Sequence, residues 1–112
     1  MTAAYESTIF GDLPQEALSN IIRETAKAVA DYDRRIRIEH EGPERAVLRV
    51  CFNLSSWGER ITLTLEQRSI RIVSKSTLPG QIIDWGKNRR NVERIRAVIR
   101  HKINDAVSTD SA

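Results

Sequence analysis

One cysteine, three prolines, five glycines and two each of Trp, Tyr and Phe are spread over 112 residues. Each scarcity excludes something. A lone cysteine, Cys51, cannot close an intrachain disulfide, and nothing in the sequence calls for an oxidising compartment. Two histidines and one cysteine give no cluster at metal-ligand spacing, so neither a metal nor a cofactor is expected. No Gly-rich loop follows a strand in phosphate-binding form. No apolar run approaches the roughly 18 residues of a membrane-spanning helix. The opening MTAAYESTIF has no basic stretch followed by an apolar one, so it does not read as a signal peptide. The expectation is a cytoplasmic protein without a membrane partner.

What is present fits one globular domain: hydrophobic residues make up 40% and charged residues 29% of the chain. The net charge of +3 is unevenly placed. Residues 1–86 carry 11 basic against 12 acidic groups, a balance of −1. Residues 87–102 carry Lys87, Arg89, Arg90, Arg94, Arg96, Arg100 and Lys102 against Glu93 alone, a balance of +6. Asp105 and Asp110 in the tail complete the sum. Basicity is thus concentrated on one segment.

The spacing predicts a first helix. Asp12 offers a cap, Gln15 a capping-box partner and Pro14 a first-turn residue. Leu18, Ile21, Ile22, Thr25, Ala26 and Val29 then form one stripe, with an end near Tyr32. Four runs of period two follow, over RRIRIEH, RAVLRVCFN, RITLTLEQ and SIRIVSK. A two-residue Gln67–Arg68 loop would pair Leu65 with Ile70 and Leu63 with Ile72, although neither residue suits a tight hairpin and a longer loop stays open. A second helix is expected from a cap at Asn88 to about Ile103, burying Val92, Ile95, Val98, Ile99 and Ile103. The order α-β-β-β-β-α predicts an α+β domain: a four-stranded antiparallel meander with both helices on one face and water on the other. Residues 1–11 read as an N-terminal arm, 12–103 as the domain and 104–112 as a disordered tail.

Two tryptophans stand in matching contexts, Ser56-Trp57-Gly58-Glu59 and Asp84-Trp85-Gly86-Lys87. Each indole can cover an end of the core while the glycine supplies a turn, and Glu59 can pair with Lys87 if the loops meet. The same two loops can instead form a recognition rim. SWGE followed by SKSTLPGQIIDWGKNRRNVERI resembles a family of small uncharacterised bacterial α+β domains, in which a W-G-E turn precedes a strand and a D-W-G-K-N segment leads into the final helix. The resemblance covers roughly residues 50–100; it implies the same domain type and supplies no activity.

The last helix admits two readings. Its start, with Lys87, Arg89 and Arg90, suits an anion such as phosphate, and Arg94 and Arg100 can extend that to a nucleic-acid backbone. The plainer reading is a solvated basic face. The open sheet face, with Arg37, Arg49, Thr62, Thr64, Arg71 and Lys75, lacks the aromatics of a base-stacking platform. Catalysis has little to stand on: His40 and His101 are far apart, Cys51 has no activating histidine nearby, and Ser74 and Lys75 point to opposite faces of a strand. The sequence therefore points to a non-enzymatic binding module. Its expected working surface is the Trp57 and Trp85 loops with Asp84, Gly86 and Asn88 and the entrance of the last helix. The partner is an unidentified protein or a second copy, with nucleic acid as alternative; a small hydrolase or transferase using Asp84 is the rival from another class.

Overall fold

A computed structural model describes residues 3–51, 58–77 and 86–111, with side chains to residue 108. Trp57, Asp84 and Trp85, and with them Phe52, Pro79 and Gly80, lie outside the described residues. The elements are β1 (Ala4–Phe10), α1 (Gln15–Tyr32), β2 (Ile36–Glu41), β3 (Arg45–Cys51), β4 (Gly58–Glu66), β5 (Ser69–Ser76) and α2 (Lys87–Ser111). One antiparallel sheet has the order β1-β5-β4-β3-β2. The α+β class and the meander hold, but the described residues form five strands. Residues 4–10, expected as an arm, pair along their whole length with β5, from Ala4 opposite Lys75 to Phe10 opposite Ser69.

Alternation sets which residues meet the helices. Ile36, Ala46, Leu48, Val50, Ile61, Leu63, Ile70 and Ile72 are buried beneath α1 and α2 together with Ile9 of β1. The β4–β5 register is the expected one, Leu65 opposite Ile70 and Leu63 opposite Ile72. The tight turn is made without Asn-Gly: Arg68 takes the left-handed conformation, φ 55°, and its carbonyl accepts from Gly11 N–H at 2.9 Å. Val47 is the exception on the far face, buried between its register partners His40 and Thr62.

Helix α1 buries its whole expected stripe and ends at Tyr32. Its start differs. Pro14 is the cap residue and no side chain caps it. Asp12 faces Arg68 across 3.8 Å instead, and Gln15 Nε2 reaches the Glu66 carbonyl rather than turning back. In α2, Val92, Ile95, Ile99 and Ile103 are buried, while Val98 is half-buried. No glycine or proline stops this helix after Ile103, so it continues to Ser111 where a disordered tail was expected. Helix α1 lies over β2 to β4, and α2 lies over β1 and β5.

Candidate functional site: a basic cleft at the start of α2

A cleft of about 460 Å³ opens where the first turns of α2 pass the β2 entrance and the adjoining ends of β3 and β4. Its lining includes Arg35, Cys51, Glu59, Lys87, Arg90, Asn91 and Arg94. Positions 87, 90, 91 and 94 fall on one side of a helix because of the 3.6-residue repeat, which is why three basic residues and an amide converge there. Arg35 arrives from the opposite wall.

Asp33, directly after α1, governs the cations at the cleft. Its side chain is only 11% exposed; Oδ2 accepts from Arg35 Nη2 at 3.0 Å and from Arg94 Nη1 at 3.3 Å. The Arg35 side-chain hydrogen bond holds this carboxyl well below the usual carboxylate range, helped by the Arg35 backbone N–H and Arg94 and opposed by burial. The same contact raises the Arg35 guanidinium further. Both arginines are thereby fixed at the cleft wall. Arg94 also borders an apolar groove of about 440 Å³ formed by Ala28, Val29, Tyr32 and Val98, where Tyr32 stands 88% exposed.

Beneath the cleft a polar network ties α2 to the sheet. Asn88, fully buried, accepts from Ser74 Oγ at 2.7 Å and donates from Nδ2 to the Ala3 carbonyl at 3.1 Å and Ser76 Oγ at 3.2 Å. Asn91 Nδ2 donates to Glu59 Oε1 at 3.0 Å and to Ser74 Oγ at 3.2 Å. Four buried polar side chains and the half-buried Asn91 are tolerable here only because each has partners. Glu59 from one Trp-Gly motif is thus linked through Asn91 to Ser74, and from Ser74 to Asn88 in the other. The glycines serve the same junction differently. A Cβ on Gly58 would lie 1.9 Å from the Val50 carbonyl oxygen, so this strand position admits no side chain. Gly86, at φ 76°, precedes the helix in a conformation that disfavours side chains.

The structure divides the residues expected to bind an anion. Lys87, Arg90 and Arg94 line the cleft; Arg89 and Arg100 are exposed and outside its lining. Asn88 is not an exposed cap but a buried tie, since the helix begins one residue earlier and turns that amide toward β5. Glu59 and Lys87 both line the cleft. Arg35 and Asp33 were not singled out in the sequence, where they read as a strand entrance and a helix end; two charges flanking one residue were the available signal. Cys51 lines the cleft with no histidine among the lining residues. His101 instead faces Asp105 at 3.4 Å on the outer surface of α2. Among the described residues no three His, Cys, Asp or Glu side chains gather as metal ligands, and no helix is long and apolar enough to cross a membrane.

The open sheet face has its own pattern. Arg37, Arg49, Arg60 and Lys75 form one row across β2 to β5, with Glu39 pairing Arg60 at 3.1 Å and Arg49 at 3.6 Å.

Neither a family model nor a curated protein matches this chain. Among solved structures it is similar to the Zhui aromatase/cyclase from Streptomyces sp. R1128, with 14% identity over 91% of this chain and 87% of that one, at a TM-score of 0.32. A likeness at that score carries no activity to this chain.

Proposed function

We propose that this protein is a small non-enzymatic binding module that receives an anionic group of a protein partner in the cleft at the start of α2. The observation that supports this is the gathering of Arg35, Lys87, Arg90 and Arg94 around one concavity of about 460 Å³. Arg35, Lys87, Arg90 and Arg94 bring four cationic groups to the cleft, with Glu59 in its lining and Asp33 holding Arg35 and Arg94 in place. A carboxylate or phosphate entering it gains charge-assisted hydrogen bonds in a partly desolvated site, where such bonds are stronger than in water. The arrangement favours a compact anionic group over a nucleic-acid backbone. Tracking phosphates needs an extended stripe, whereas Arg89 and Arg100 stand outside the cleft lining.

The test is a nitrogen-15 titration with inorganic phosphate, an oligoglutamate peptide, and short DNA and RNA duplexes, at low and at physiological salt. Shifts at Arg35, Asn91 and Arg94 with phosphate and peptide are expected. Lys87→Glu with Arg90→Glu should weaken peptide binding at least ~10-fold, about 1.4 kcal/mol, with the folded spectrum kept. Absence of shifts with every anion at low salt overturns the reading. Duplex binding that falls steeply with salt and maps to Arg89 and Arg100 would replace it with nucleic-acid recognition.

A further inference from the structure

The sheet edge at β1 carries a second surface, independent of the cleft. The bonds from Ser76 N–H to the Ala3 carbonyl and from Gly11 N–H to the Arg68 carbonyl, each 2.9 Å, fix the phase of the β1–β5 ladder. With Ala4 opposite Lys75, the odd-numbered residues exchange hydrogen bonds with β5. Ala4, Glu6, Thr8 and Phe10 therefore aim their N–H and C=O groups away from the sheet. Arg96 Nη1 donates to the Thr8 carbonyl at 3.0 Å, and that carbonyl retains a second lone pair.

The two edges of this sheet are not alike. β2 is interrupted by a bulge between Ile38 and His40 and carries Arg37, Glu39, His40 and Glu41. β1, AYESTIF, has one charge, no proline, no glycine and an unbroken register. Bulges and charges are the usual protection of an edge against pairing with another strand, and β1 has almost none.

We propose that a second copy of this chain pairs there, β1 antiparallel to β1, about a two-fold axis through Ser7. This register sets Ala4 against the second copy's Phe10 and Glu6 against its Thr8, so all four outward-facing residues find partners in phase. It sets Tyr5 beside the second copy's Ile9 on the helix side. On the other side it brings the second copy's Ala4 against Phe10, which stands 62% exposed in the single chain. The helices agree with it. Each α2 lies over β1 and β5, which places the two axes about two strand spacings, roughly 10 Å, apart, at helix-packing distance. Arg96 bonds Ser7 Oγ at 2.7 Å and so sits near the axis. Tyr5 donates to Glu93 at 3.2 Å, which puts Glu93 over the same edge. With the helices antiparallel about Arg96, Glu93 of each copy meets Arg100 of the other. The strand is thus complementary to itself in hydrogen-bond phase and side-chain size, and the two Glu93–Arg100 pairs offset the approach of the two Arg96 guanidinium groups, each of which keeps its bonds to Ser7 and Thr8.

Sedimentation of the full chain tests this. A species of twice the 12.8 kDa of one chain is expected. Thr8→Pro removes an N–H that β5 does not use, and should return the protein to monomer with its circular dichroism intact. Glu93→Arg should weaken the dimer at least ~10-fold, and Glu93→Arg with Arg100→Glu should restore it. Independently, Ser7→Cys in a Cys51→Ser background should form an intermolecular disulfide under mild oxidation. The two Ser7 Cα atoms would be about 4.5 Å apart in a non-hydrogen-bonded pair. A wild-type monomer at ~100 µM protein, a concentration scale for an interface of micromolar Kd, overturns the proposal. So does a dimer that Thr8→Pro leaves intact and Ser7→Cys does not cross-link.

Discussion

Replacing Asn88 by alanine separates two roles of very different size. As an exposed cap, Asn88 would contribute typically ~1 kcal/mol. As the buried tie seen here, it makes hydrogen bonds to three groups among the described residues, Ser74, Ser76 and the Ala3 carbonyl. At about 1 kcal/mol each these sum to roughly 3 kcal/mol. The groups left behind add less. Ser74 keeps its bond from Asn91, and the Ala3 carbonyl keeps the one from Ser76 N–H. The Ser76 hydroxyl loses the partner it has in Asn88, worth about one further kcal/mol. Asn88→Ala should therefore cost about 3–4 kcal/mol in urea unfolding followed by circular dichroism. At ~4 °C per kcal/mol that lowers Tm by about 12–16 °C. A double-mutant cycle with Ser74→Ala should give a coupling of about 1 kcal/mol or more. A loss near 1 kcal/mol, additive with Ser74→Ala, would refute the tie and return Asn88 to the role of a cap.

Two further perturbations probe the same region. Gly58→Ala drives a Cβ into the Val50 carbonyl and should cost about 3 kcal/mol, against about 1–2 kcal/mol for Gly86→Ala, whose penalty is chiefly its positive φ, since the close neighbour at 3.3 Å is the movable end of the Arg90 side chain; equal losses in urea unfolding would count against the Gly58 contact. Asp33 has a folded pKa below its unfolded value, so its stabilisation is complete at neutral pH and down to about pH 4, and is lost as pH falls further. The stability difference between wild type and Asp33→Asn, measured by urea unfolding, should shrink as pH drops below about 4; a gap that stays constant to pH 2 would contradict the assignment.

Much of the fold was legible because it depends on periodicity. The stripe from Leu18 to Val29 and the alternation from Ile36 to Ile72 are patterns in the chain itself, and the Leu65–Ile70 register followed from loop length. β1 was not legible for the opposite reason. Tyr5, Ser7 and Ile9 do alternate with Glu6 and Thr8, but only one of them, Ile9, is fully buried, and the strand exists because β5 accepts it. Ser74 and Ser76 looked like ordinary strand polar residues, and Asn88 like a cap, because a buried amide is recognised only by partners 12 and 14 residues away. The cleft was half visible: α2 advertised Lys87, Arg90 and Arg94, while Arg35 and Asp33 become part of it only when β2 is laid beside that helix.

The pairing of the first strand with the last has a consequence for how the chain is made. β2 to β5 can zip together as successive hairpins while synthesis proceeds, each closing a short loop. β1 cannot; the residues it needs, Ser69 to Lys75, belong to the last strand of the meander and leave the ribosome after β2, β3 and β4. The Asn88 contact with the Ala3 carbonyl, across 85 positions, comes later still. Closing so long a loop carries an entropic cost that nearest-neighbour strands avoid. β1 is therefore translated before the other strands of this sheet and fastened after them, and until β5 emerges the segment with the least protected edge has no place in the sheet to go.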